Sequence, residues 1–367
     1  MIKCSGKNRK GSLLEYYTID KLYKTNQIDC SGNQFTSIPN IKRLKKLYCS
    51  SNSFTYLPHF ENLQELNCSN NDLAFIPNIK TLKKLDCSNN QLTCLPEFES
   101  LVELDCKGNQ LTCMPNMKTL KILNCTNNLL TCLPEFESLL VLDCSKNNLT
   151  CIPDIKTLNK LVCIKNQLTE LPLLGRLQLL DCSNNQLTSL PNCDTLHTLK
   201  CYNNKLTSLP HFERLVTLNC YNNRLTSLPH FERLESLNCK GNLLTNLPNF
   251  RTLLSLYCGT NQLTRLPHFK QLQILNCGNN MLTSLPHFKT LQTIYCDYNP
   301  LVFNVGNTVH KWKMYYELKK EYEYKLLLID NIHTDLVNDI KYLLKKQLFY
   351  LFYNRLIKYT YKYTDIY

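Results

Sequence analysis

Glycine is scarce here, at 9 of 367 residues. That excludes a collagen-like or linker-rich chain, which needs glycine at high frequency. No apolar run approaches the roughly 18 residues of a membrane span. Near the C-terminal end the longest, Leu348 to Tyr353, covers only six residues. Met1 to Lys10 is polar and basic, without the apolar stretch of a secretory leader. The chain contains no G-x-S-x-G, Walker loop, H-E-x-x-H or C-x-x-C. The signatures of serine hydrolases, P-loop enzymes, zincins and thioredoxin-like redox centres are therefore missing.

Cysteine is plentiful, at 21 residues. In a short secreted protein this would suggest a disulfide framework. Without a leader, the expectation is a reducing cytoplasmic compartment with free thiols. The net charge is +13, which raises nucleic acid or an anionic surface as possible partners.

The cysteines set a register. From Cys30 through Cys49 and Cys68 to Cys296, fifteen cysteines stand 19 residues apart with no insertion. Asn follows each by three positions, from Asn33 to Asn299. Pro follows the first fourteen by nine, from Pro39 to Pro286. One unit shows the pattern: Leu82, Leu85, Cys87, Asn90, Leu92, Leu95, Pro96, Phe98. Leu85 and Cys87 are two apart and so face one side of a short strand. Pro96 donates no N–H and cannot lie inside a central ladder, so it belongs to the returning leg. Nineteen residues leave little room for a helix there. Each Asn amide is placed to bond backbone groups of its own and the neighbouring coil. One unit cannot bury its own apolar residues; stacking makes the core.

This pattern, L-x-x-L-x-C-x-x-N-x-L, resembles the leucine-rich repeat with Cys for its third Leu. The resemblance covers about residues 28–303. It implies an α/β-type repeat solenoid: a right-handed coil with a short parallel sheet on the concave face and, at this repeat length, a non-helical convex side. Residues 1–27 then form an N-terminal helical cap, 28–303 a solenoid of about 14–15 repeats, and 304–367 a C-terminal helical cap or docking module. Ser12 to Lys24 reads as one helix with a Ser12/Glu15 capping box. In it Tyr16, Ile19, Leu22 and Tyr23 share a face. Residues 308–329 and 334–358 read as two more helices, the second opening at Thr334-Asp335.

A second period overlies the first. Lys42, Glu61, Lys80, Glu99, Lys118, Glu137 and Lys156 alternate in sign at 19-residue steps, as do Ile and Phe just before them. The early array is thus a duplicated 38-residue pair, and the alternation stops at Gly175.

The main cysteine column reads as core, because Cys is a small, often buried residue. Cys193, where other repeats carry Phe or Ile, reads as core too. A second column, Cys94, Cys113, Cys132 and Cys151, falls at a position held elsewhere mostly by Ser, Glu, Asn or Arg. These four are expected to be exposed, with redox or metal chemistry left open. His59, His211, His230, His268 and His287 all follow the repeat's Pro, as solvated loop residues. No cofactor, small-molecule substrate or catalytic residue is implied. The roughly 60 residues after the array are too few for the ubiquitin-ligase, kinase or phosphatase domains that some leucine-rich-repeat proteins carry.

In that family partners bind at exposed positions of the concave face. Here Ile122, Val141, Val162, Ile164 and Leu179 are expected to form one apolar patch there, edged by Asp143, Asp181, Lys146 and Lys165. Lys200, Tyr202 and Tyr221 form a second group. The expected function is a non-enzymatic protein-interaction scaffold. The alternatives are a basic nucleic-acid or membrane-surface binder, or a passive structural component. Nucleic acid is disfavoured because the inferred face is mixed in charge. The Asn, Lys, Ile and Tyr bias is similar to uncharacterised leucine-rich-repeat proteins of Mimivirus-like giant viruses, which implies a host protein as partner.

Overall fold

The computed structural model describes residues 1–301, 309–330 and 338–361. Two compact units divide the chain, Met1–Arg224 and Leu225–Tyr367.

In the first unit a three-residue strand recurs once per repeat, from Lys46–Tyr48 to Thr217–Asn219. Neighbours pair in parallel at the repeat offset, for example Lys84↔Glu103, Leu85↔Leu104 and Asp86↔Asp105. Alternation along the strand turns Leu85 and Cys87 inward and leaves Lys84 and Asp86 on the open face. The return leg has no helix; its recurring Leu, Ile and Phe positions, such as Leu92, Leu95 and Phe98, are buried, while Phe75, Leu129 and Leu173 are exposed.

Two devices hold one coil to the next. The first is the asparagine column. Asn90 Nδ2 donates to the carbonyls of Cys68 and Cys87, both at 3.0 Å. Its Oδ1 accepts the Leu73 N–H at 3.0 Å. One buried side chain therefore satisfies backbone groups of two coils that the strands do not reach. The second is a left-handed turn two residues after each cysteine, as at Asn89 (φ 54°) and Lys146 (φ 55°). At Gly108, which takes that conformation, a Cβ would come within 2.4 Å of Asn89 Oδ1. Ser51, Lys146 and Lys165 share this position with Asn and Gly, so residue type alone does not reveal it.

The N-terminal region departs from the expected helix. Ser12 does form a capping box with Glu15, whose Oε1 accepts the Ser12 N–H at 2.8 Å. It opens only a single 3-10 turn, Leu13–Glu15; a separate helix α1 spans Ile19–Tyr23. Of the face proposed for one continuous helix, only Leu22 is buried; Tyr16, Ile19 and Tyr23 are exposed. The reason lies upstream. Ile2–Lys3 pairs with Ile28–Asp29, and Lys10–Ser12 pairs with the strand Gln34–Ser37. Cys4 is buried like the column cysteines, and its carbonyl accepts Asn33 Nδ2 at 3.0 Å. Gly6 takes the left-handed turn two residues later. Residues 2–6 thus repeat residues 28–32 in structure, and the chain between them is spent closing this first coil.

The second unit carries the strands Ser236–Asn238, Ser255–Tyr257, Ile274–Asn276 and Thr293–Tyr295. Behind them Phe231, Phe250, Phe269 and Phe288 stack at centroid spacings of 6.2, 6.5 and 6.3 Å. Asn299 closes its ladder on the carbonyls of Cys277 and Cys296, both at 3.0 Å. Helices α2 (Val309–Asp330) and α3 (Asn338–Tyr361) follow, over the two stretches that the sequence reads as helical. The proposed start at Thr334-Asp335 lies outside the described residues. The two helices pack through Phe352 on Tyr322, centroids 4.9 Å apart, and Arg355 pairs with Glu321 at 3.1 Å. The His287 ring stacks on Tyr316 of α2 at 4.0 Å, so α2 lies against a coil of its own unit. No described helix is long and apolar enough to cross a membrane.

Candidate interaction face

The fifteen column cysteines are buried and free. Burial pushes thiols along this column up, Cys239 to about 12 and Cys296 to about 11. A protonated, enclosed thiol is a poor nucleophile and a poor metal ligand. Among the described residues no three His, Cys, Asp or Glu side chains converge as a metal centre. Cys94, Cys113, Cys132 and Cys151 are exposed, whereas Cys193 is buried and donates Sγ–H to the Leu174 carbonyl at 3.0 Å. Folded protein is expected to take up four equivalents of iodoacetamide quickly, at these four positions, and the rest only after denaturation. Peptide mass spectrometry reads the order, and equal labelling of the buried column would contradict it. Of the histidines, His59, His211, His230 and His268 are exposed; His287 is half-buried under Tyr316, and burial lowers its pKa.

The open strand face consists of two columns, three residues and one residue before each cysteine, with Lys46, Lys84, Ile122, Lys160 and Lys200 exposed and most of the others half-buried. The first begins as a charge ladder. Lys46 pairs with Glu65 at 2.8 Å, and Lys84 with Glu103 at 2.8 Å. Sequence reasoning found this alternation only on the outer column, where Lys80–Glu99 (2.8 Å) and Lys118–Glu137 (3.4 Å) also form. The strand-face version was legible at the same 19-residue steps. The exposed pairs contribute little stability each, but they neutralise that part of the face.

Beyond Glu103 the ladder ends at Ile122, which is 43% exposed and stands in register with Val141. The apolar residues expected from the sequence to form one patch are not consecutive in register. Lys160 stands in register between Val141 and Leu179. Val162 occupies the other column, between Asp143 and Asp181. Ile164 is half-buried, its N–H donating to Ser145 Oγ at 3.2 Å. Leu179 is half-buried as well, and Lys165 is exposed.

The acidic edge is also different. Asp181 is only 6% exposed. Its Oδ1 accepts the Ser183 hydroxyl at 2.7 Å, and Lys200 Nζ stands 3.8 Å from Oδ2. Asp143 Oδ1 accepts the Ser145 hydroxyl at 2.7 Å and that of Thr126 at 2.9 Å. Asp86 accepts Ser88 in the same way. The D-C-S triplet is thus a local turn in which the serine two residues on turns the carboxylate back onto its own chain. Burial holds Asp105 above the ordinary carboxylate value, with Asp86 adding to the effect. Lys200 is exposed, and Tyr202 and Tyr221 stack face to face at 4.6 Å and 8°, a preformed aromatic pair.

A Leucine Rich Repeat family profile matches residues 81–101. No curated protein matches the chain. Among solved structures, YopM, a leucine-rich effector protein from Yersinia pestis, is 28% identical with a TM-score of 0.63. The match covers 74% of this chain and 88% of that one. YopM from Yersinia enterocolitica is also 28% identical, with a TM-score of 0.57 over 75% of this chain and 74% of its own. With the parallel strand column, the short repeat and the non-helical return leg, the fold is a leucine-rich-repeat solenoid.

Proposed function

We propose that this leucine-rich-repeat solenoid is a non-enzymatic scaffold that binds a protein partner through its strand face, with Ile122 and Val162 at the centre of the contact. One observation carries the reading. The strand-face column neutralises itself from Lys46 to Glu103, then presents Ile122 and Val141. The neighbouring carboxylates Asp143 and Asp181 are tied to serine hydroxyls and offer little competing hydration. An apolar spot on an otherwise satisfied face is what a desolvated contact needs. Tyr202 and Tyr221, with Lys200 beside them, supply an aromatic flank suited to protein surfaces. The similarity to a leucine-rich effector protein agrees with an interaction role. The free thiols fit a reducing cytoplasm, and the composition fits a viral chain acting on a host protein.

The test is an affinity pulldown comparing wild type with Ile122→Asp/Val162→Asp, and with Thr112→Asp on the exposed return leg as control. The strand-face variant should lose its partner by on the order of thirtyfold, the scale of a ~2 kcal/mol hot spot. The control should keep it. An identical partner list for all three removes this face from the proposal.

A further inference from the structure

The exposed cysteines are left without a role in partner binding. They lie on the return leg, one per coil, in four consecutive coils. The backbone just ahead of them is locked from coil to coil. Gln110 N–H donates to the Leu92 carbonyl, Leu129 to Leu111 and Asn148 to Leu130, each at 2.9 Å. Cys94, Cys113 and Cys132 each follow one of those carbonyl residues by two positions. The backbones that carry successive cysteines are therefore about one coil apart, roughly 4.8 Å.

That spacing selects among the things thiols can do. A disulfide needs a dihedral near 90°, which equivalent side chains running parallel on successive coils do not supply. A tetrahedral zinc site needs four converging ligands, and no such cluster exists among the described residues. Two metal–sulfur bonds of about 2.3 Å laid end to end span about 4.6 Å. A linear bis-thiolate bridge between adjacent coils therefore fits the repeat without moving the backbone. Soft monovalent copper is the ion that thiolates favour in such a site.

We propose that Cys94, Cys113, Cys132 and Cys151 form a surface ladder that binds Cu(I) in two-coordinate fashion, each ion bridging the thiolates of two adjacent coils. Binding breaks two S–H bonds and forms two Cu–S bonds. Both protons pass to solvent, and no electrons are transferred. This site is separate from the strand face, so its failure leaves the partner proposal untouched.

The experiment is anaerobic native mass spectrometry of the full folded chain. Cu(I) is supplied as its acetonitrile complex against a bicinchoninate competitor. Wild type should bind two ions and should protect all four thiols from iodoacetamide. Cys94→Ser/Cys151→Ser keeps the adjacent pair Cys113 and Cys132, and should bind one. Cys113→Ser/Cys132→Ser keeps two thiols three coils apart, roughly 14 Å at this spacing, and should bind none. Both double variants remove two exposed thiols, and serine already stands at this position in other coils, as at Ser189 and Ser208. Circular dichroism checks that both variants remain folded. Equal copper uptake by the two variants, or none by wild type, would overturn the proposal.

Discussion

Replacing Asn128 with alanine is expected to destabilise the first unit by about 2–4 kcal/mol, a large loss for a single side chain on the scale of point mutations. The magnitude follows from what the amide holds. Nδ2 donates to the carbonyls of Cys106 at 3.1 Å and Cys125 at 3.0 Å. Oδ1 accepts the Leu111 N–H at 3.1 Å. All of these sit in a buried setting, since Asn128 is 6% exposed. Alanine leaves the buried Leu111 N–H without a partner, at about 1–3 kcal/mol, and takes one of two amide donors from each carbonyl, at about 0.5–1.5 kcal/mol each; Cys106 keeps Asn109 and Cys125 keeps Asn147, both at 3.0 Å. The damage should be local, because coils are stabilised by their neighbours. Urea denaturation measures the total, and amide exchange at Leu111 should accelerate ahead of distant coils. Gln110→Ala, on an exposed side chain in the same coil pair, should change stability by no more than about 0.5 kcal/mol. A loss below about 1 kcal/mol for Asn128→Ala would mean that water replaces the amide and that the column is decorative.

The second large effect is expected in the other unit. Phe250→Ala should cost about 3–5 kcal/mol, the range for emptying a fully buried aromatic site. Phe250 lies between Phe231 at 6.2 Å and Phe269 at 6.5 Å, with the His230 ring at 6.0 Å. Its removal takes packing from both neighbouring coils at once. Phe250→Leu should cost less than about 1.5 kcal/mol, since it keeps most of the volume; Leu174 fills the equivalent place in the first unit. Met281→Ala, on a side chain 56% exposed, serves as the near-neutral control. Urea midpoints of the three variants give the comparison. Equal costs for Phe250→Ala and Phe250→Leu would show that ring volume is not what the column uses.

Both predictions rest on residues that were legible without coordinates. Asn128 and Phe250 belong to columns visible as a 19-residue recurrence. In a stacked repeat, recurrence in sequence is recurrence in space, so a periodic residue reports its long-range neighbours directly. The outer Lys–Glu pairs and the exposure of Cys94 to Cys151 followed from the same logic.

Where the period is broken, or where the outcome depends on a side chain's choice of partner, this reasoning stops. Cys4 lies 26 residues before Cys30 rather than 19. The opening coil is therefore assigned from sequence to an N-terminal helical cap, although Ile2–Gly6 and Ile28–Gly32 carry nearly the same residues. Asp143 and Asp181 stood correctly on the strand-face column. Whether their carboxylates faced a partner or their own chain was decided by Ser145 and Ser183 two residues on. The apolar residues near Ile122 were identified individually, but strand register placed Lys160 among them.

From its residues alone, this protein is determined to be a solenoid with free, buried cysteines and an asparagine-clamped stack, because those features are periodic and each coil repeats the same local energetics. The tertiary structure decided how the chain starts, which charges are already spent, and how small the open apolar spot at Ile122 is. Those depend on contacts between non-equivalent side chains, and no repeat encodes them.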